Sequence, residues 1–225
     1  MQLTTEQISA INETLVLNGL VYDDVKMELL DHIATEIEQV MDDKEIQFEE
    51  ALKTAFSNWE GQLHASTSFW IRGDKSVPKI IIQKSLQMVK RIFLMAFGFG
   101  IVSAALATLL FKSYPQHEVV LILNAVLQVA GGIGILLFIY FQYRLWQSKQ
   151  KSTYSFLFNR NGIIQIINLA AIATGIFEFK GYTTFTDYHF MSALLPIIFL
   201  LVPFFYLNVA FQHLRFEKKL KLSCR

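Results

Sequence analysis

Residues 92–111 read IFLMAFGFGIVSAALATLLF, twenty residues without a charge. At 1.5 Å rise per residue such a helix matches a hydrocarbon core of about 30 Å. Three more apolar stretches follow, at 119–143, 162–179 and 190–211. The third is the weakest, because it carries Gln165, Asn168, Thr174 and Glu178. All four are too long and too apolar for strands. They predict a four-helix transmembrane bundle over residues 92–214.

Working outward, the flanks set an orientation. Lys75, Lys79, Lys84, Lys90 and Arg91 precede the first stretch. Arg144, Lys149, Lys151 and Arg160 lie between the second and third, and Arg215, Lys218, Lys219, Lys221 and Arg225 follow the fourth. The two remaining loops hold one base each, Lys112 and Lys180. Loop cations stay on the cytoplasmic side. The expectation is a multi-pass protein of a bacterial inner membrane with both termini cytoplasmic. Tyr140, Tyr143 and Trp146 suit an inner aromatic belt. Phe179, Tyr182, Phe185, Tyr188 and Phe190 make the second outer loop aromatic.

The net charge of +1 conceals a split. Residues 1–60 hold fourteen acids and three bases, Lys26, Lys44 and Lys53; residues 61–225 hold seventeen bases and five acids. An acidic head and a basic, apolar body suit water and an anionic membrane surface. Bases placed at the membrane boundary argue against nucleic-acid binding. The lone cysteine, Cys224, builds no disulfide framework. The start, MQLTTEQISAINETL, lacks the features of a secretory signal.

The head, 1–61, reads as three helices. Thr4 and Gln7 fit a capping box, Ile8, Ile11, Leu15 and Leu17 give the first apolar face, and Gly19 supplies a stop. Asp23 and Asp24 suit the start of a second helix with a stripe of Val25, Leu29, Ile33, Ile37, Val40 and Met41. A third runs from about Gln47 to Trp59 with Gly61 as its end. Residues 62–77 read as a linker. Ser76 is a candidate cap and Pro78 suits a first turn, opening a basic amphipathic helix over 78–91. Its Lys79, Lys84, Lys90 and Arg91 are candidate lipid-headgroup contacts. Residues 215–225 form a basic tail.

Two constellations carry chemistry. Glu28, His32 and Glu36 recur every fourth residue, with Asp31 beside them. Such a row can hold a divalent metal, sense pH or dock a partner; its plain alternative is a polar seam in which an acid on a facing helix bonds His32. Glu178 is the only acid inside an expected span, and with Gln128, Asn124, Asn168 and Gln165 it can line a polar path. The alternative is exposure of Glu178 at the interface and interhelical hydrogen bonding by the amides. Ala130 with Gly134, and Ala171 with Gly175, fit close-packing faces. No HExxH, GxSxG or Walker pattern occurs, so neither an enzyme nor a cofactor is expected.

The run TTEQISAINETLVLNGLVYDDVKMELLDHIATEIE, with its core Glu28-Leu29-Leu30-Asp31-His32-Ile33, resembles the helical head domain of HAAS-type and permease-prefix membrane proteins. It is most similar to four-span members from Bacteroidetes-type bacteria. The resemblance covers roughly residues 4–56 and implies an inner-membrane sensor or adaptor working beside regulators or exporters. No transporter body follows the head, which departs from the permease-prefix type. The expected partners are membrane lipids, a protein at the head and a second copy of the chain. The rival expectations are an accessory subunit of a membrane complex such as an exporter, and a small transporter or channel.

Overall fold

A computed structural model describes residues 2–71, 76–113, 116–179 and 189–223; the side chains of 112, 116, 189 and 223 are not included. Helix α1 spans Thr5–Leu17, α2 Asp23–Lys44 and α3 Phe48–Leu63. The capping box at Thr4 forms as expected: Gln7 N–H donates to Thr4 Oγ1 and Thr4 N–H to Gln7 Oε1. Gly19 turns the chain at φ +81°. Ile11 and Leu15 are buried, whereas Ile8 and Leu17 point outward, because the core-facing stripe of so short a helix is only two turns long. Val25, Leu29, Ile33 and Ile37 are buried as predicted. Helix α3 does not stop at Gly61. It continues to Leu63, which is buried, and Ala51 and Ala55 form its innermost face.

The stretch read as a linker is folded where it is described. Strand β1 (Ala65–Ser66) pairs antiparallel with β2 (Val77–Pro78), and Ile71 is buried. Pro78 therefore sits in a short strand, not a helical turn, and Lys79 N–H donates to His64 O. Helix α4 (Lys79–Ser113) follows without a break, so the amphipathic segment and the first span are one rod. Its first three turns bury Ile81, Ile82 and Val89 in a core cluster that the head shares with the bundle.

Helix α5 covers Gln116–Gln147, α6 Thr153–Ala173 and α7 His189–Ser223. With α4 these are the four helices long and apolar enough to cross a membrane. The chain is a multi-pass, all-α membrane protein. Helix α7 is central, packed along α4 and α6 and touching α5, while α4 and α5 share little contact. The third span differs from its expected 162–179. Ser152 caps α6 in a box with Ser155, and the helix ends at Ala173, with Thr174 as its C-cap before Gly175, which holds φ +77°. Tyr154 to Phe158 belong to it, hidden from a hydropathy reading by Asn159 and Arg160. Its low hydropathy has a physical cause: α6 is the most protein-buried span, and its Asn161 and Gln165 face inward.

Small residues set the spacing, in a different register from that expected. Gly131 and Gly134 of α5 meet α6, where a Cβ on Gly131 would lie 3.0 Å from Ala173 N and Leu169 O. Gly175 lies in the turn after α6, so Ala171 and Gly175 form no helical packing face. Tyr140, Tyr143 and Trp146 are exposed on α5, as an interfacial belt requires. Phe179 is buried, edge-on to Phe111. Lys75, Lys180, Tyr182, Phe185, Tyr188, Cys224 and Arg225 lie outside the described residues.

Candidate functional site

Most of the buried polar side chains among the described residues gather where the head meets the α5–α6 turn. Ser152 ends this turn and its hydroxyl accepts from Ser155 N–H at 3.2 Å. The same hydroxyl lies 2.7 Å from His213 Nδ1, and the other ring nitrogen lies 3.2 Å from Ser148 Oγ. His213 is fully buried. A neutral imidazole serves both hydroxyls, accepting at one nitrogen and donating at the other. Position 213 lies just past the last apolar stretch, so α7 extends into the junction. Burial holds the His213 pKa below the usual histidine value, against the opposing pull of Glu217 and Asp24. The hydrogen bond from Lys221 holds Glu217 below the usual carboxylate value.

The head docks on the same turn. Asp23 N–H donates to Lys151 O at 2.8 Å and Lys151 N–H returns a bond to Asp23 Oδ2 at 3.3 Å. Asp24 Oδ1 accepts from the backbone N–H of Thr153 at 2.8 Å and from its hydroxyl at 3.2 Å. Thr153 is the first residue of α6, and Asp24 lies in the first turn of α2. One carboxylate therefore faces two helix N-termini, both of which favour negative charge. Tyr22 packs edge-on to Phe156, and the Arg160 guanidinium lies over that ring, 5.6 Å from its centroid. Burial raises the Tyr22 pKa, with Arg160 opposing. Deeper in, Asn161 of α6 donates to Trp70 O and to Tyr206 OH, tying the β1–β2 connection to α6 and α7.

The structure divides the row expected on α2. Glu28 bonds Lys84 of α4 at 2.8 Å. Glu36 turns the other way, accepting from Asn58 and the Trp59 indole of α3. Asp31 and His32 lie exposed between them. The row is thus neither one site nor a continuous seam, because its members face α4, solvent and α3 in turn. Lys84, expected among the headgroup contacts, pairs with Glu28 and lies 4.0 Å from Asp24 Oδ2. Lys79, Lys90 and Arg91 are exposed.

Glu178 is not inside a span. It is exposed beyond the α6 C-cap, five residues after the helix ends at Ala173. Gln128 and Glu178 flank Gly175, whereas Asn168 is half-buried on α6 and outside that group. Asn124 has a defined task, since its amide exchanges two hydrogen bonds with the backbone of Phe179.

Sequence reasoning missed Asp24, Ser152, Asn161 and His213 as a site. A histidine just past an apolar stretch was a signal; its hydroxyl partners, over sixty residues away, were not. Comparison with protein-family models, curated proteins and solved structures gave no match for this chain.

Proposed function

We propose that the chain is a sensor or adaptor of a bacterial inner membrane, with no reaction of its own, whose acidic head meets a cytoplasmic protein partner. The observation that carries this reading is the Asp24 carboxylate shared between α2 and α6. It couples the head to a turn that α7 also holds through His213. A shift of α7 or α6 against the others alters that turn and so alters how the head is held. The loop cations support cytoplasmic termini. The resemblance of residues 4–56 to HAAS-type heads supports the adaptor role. Asp31 and His32, exposed on α2, remain the docking candidates, beside Glu28, which is exposed but paired with Lys84, and Glu36, which is held by α3.

The test is quantitative co-purification of the full chain from its native membrane. Asp24→Asn should change the amount of a specific companion while leaving the chain in the membrane. Equal recovery with wild type and variant would argue against the reading. Reporter fusions after Ser152 and after the last residue should report the same side.

A second reading, an accessory subunit, is favoured by the lipid-facing surface of α5. Leu121, Ile122, Val126, Val129, Ile133 and Leu136 are all exposed there, and α4 leaves that side of the bundle open. A companion at fixed stoichiometry, indifferent to Asp24, would select it.

A further inference from the structure

Beside the head–bundle junction lies a cleft of about 460 Å³, lined by Asp24, Lys84, Tyr154, Gln212, Arg215 and Lys219. Its charges are unequally used. Asp24 Oδ1 is taken by Thr153, and Glu28 lies outside the cleft lining, on Lys84. Lys84 gives one hydrogen bond to Glu28 and faces Asp24 Oδ2 at 4.0 Å as an ion pair without bonding it, which leaves ammonium donors over. Arg215 and Lys219 stand one turn apart on one face of α7, and both are exposed. Among the described residues neither has an acid within ion-pair distance, whereas Lys26, Lys84 and Lys221 each do. The Tyr154 hydroxyl and the Gln212 amide add neutral donors, and Phe216 adds an apolar wall. Its lining residue Gln212 follows directly on the apolar stretch, where a phospholipid headgroup would lie if that stretch spans.

We infer that this cleft binds a phosphate group. Arg215 and Lys219 hold its oxygens by charge-assisted hydrogen bonds, and Lys84 completes the cradle from α4. The phosphate has two natural sources, a membrane phospholipid or a soluble phosphate ester, and the recognition chemistry is shared. The site does not depend on the head having a protein partner. Because its walls come from α2, α4, α6 and α7, occupancy braces the head against the bundle.

The full chain, purified in a phosphorus-free detergent, is offered phosphatidylglycerol or a phosphorus-free galactolipid, and retained lipid is counted by native mass spectrometry. In a second arm it is titrated calorimetrically with glycerol phosphate, with glycerol as the blank. One phosphate-bearing ligand per chain is expected in at least one arm. Lipid retention alone identifies the lipid source; a glycerol phosphate isotherm identifies the soluble one. The double variant Arg215→Gln, Lys219→Gln should bind roughly tenfold more weakly or worse, as loss of charged hydrogen bonds predicts. Lys218→Gln, on the same helix but outside the cleft, should bind as wild type and controls for nonspecific attraction. Binding by neither ligand overturns the inference. So does a double variant that elutes as a folded chain and binds as tightly as Lys218→Gln.

Discussion

The two ends of the bundle are held by different physics. At the head end, directional bonds among Asp24, Thr153, Ser152, His213 and Ser148 join four separate elements. At the far end, apart from the two bonds between Asn124 and Phe179, contact is apolar and close. Ala104, Ala107, Leu127, Ile172 and Ala193 pack together, the rings of Phe177 and Phe199 stack at 4.2 Å, and Gly131 and Gly134 admit α6. Apolar packing in lipid has no hydrophobic drive behind it and relies on close fit. It tolerates no added volume but is indifferent to pH. A hydrogen-bonded junction tolerates small shifts yet responds to charge. The responsive end is the one that carries the head.

The largest effect that sharpens this contrast is expected at the far end. Gly131→Leu drives a side chain into the backbone of α6, which cannot give way, and should cost about 3 kcal/mol. Gly132→Ala, with nothing within 4 Å of its Cβ, serves as the control. Unfolding of the chain in mixed micelles, followed by helicity, measures both. Equal stability of the two variants would remove close packing as the distinguishing feature.

Next, Asp24→Ala deletes the acceptor of two Thr153 bonds and should cost about 2 kcal/mol. The loss should be local: amide exchange rises around residues 20–30 and 148–156 and stays unchanged across 124–135. Uniform acceleration would mean that the two ends are not energetically separate.

Acidification probes the junction more gently. His213 has a depressed folded pKa, so the unfolded chain binds its proton more readily. Its contribution is complete above the ordinary value of 6.5 and is lost as pH falls toward the folded pKa. Asp24 and Glu217 face the same ring and soften the effect. Amide exchange at 148–153 should therefore rise between pH 7.5 and 5.5, by less than in Asp24→Ala, and His213→Gln should abolish the difference. A variant that keeps the full pH response assigns it to another group.

The smallest effect is expected for Glu178→Gln. The exposed side chain lies beyond α6, so stability should change by no more than about 0.5 kcal/mol. A loss several times larger would give Glu178 a polar role at that end beyond the Asn124–Phe179 bonds.

Much of the molecule can be read from local pattern. The charge-free stretch 92–111, the Thr4–Gln7 box, Gly19 and the α2 stripe from Val25 to Ile37 all depend on residues within a few turns of each other. The third span was misplaced because Arg160 looked like a loop residue, whereas in the fold its guanidinium lies over Phe156. Glu178 looked intramembrane because the positive φ of Gly175, which ends the run, is not encoded in hydropathy.

Sequence alone determined that four helices cross a membrane and that an acidic helical head precedes them, since periodicity and transfer energy are properties of neighbouring residues. Only the tertiary structure decided that α7 is central, that Glu28 and Glu36 part company, and that Asp24, Ser152 and His213 meet. Those contacts join residues up to 129 positions apart, and hydrogen bonds at 3 Å have no signature in composition. They exist because helix packing brings two N-termini and one imidazole to the same place.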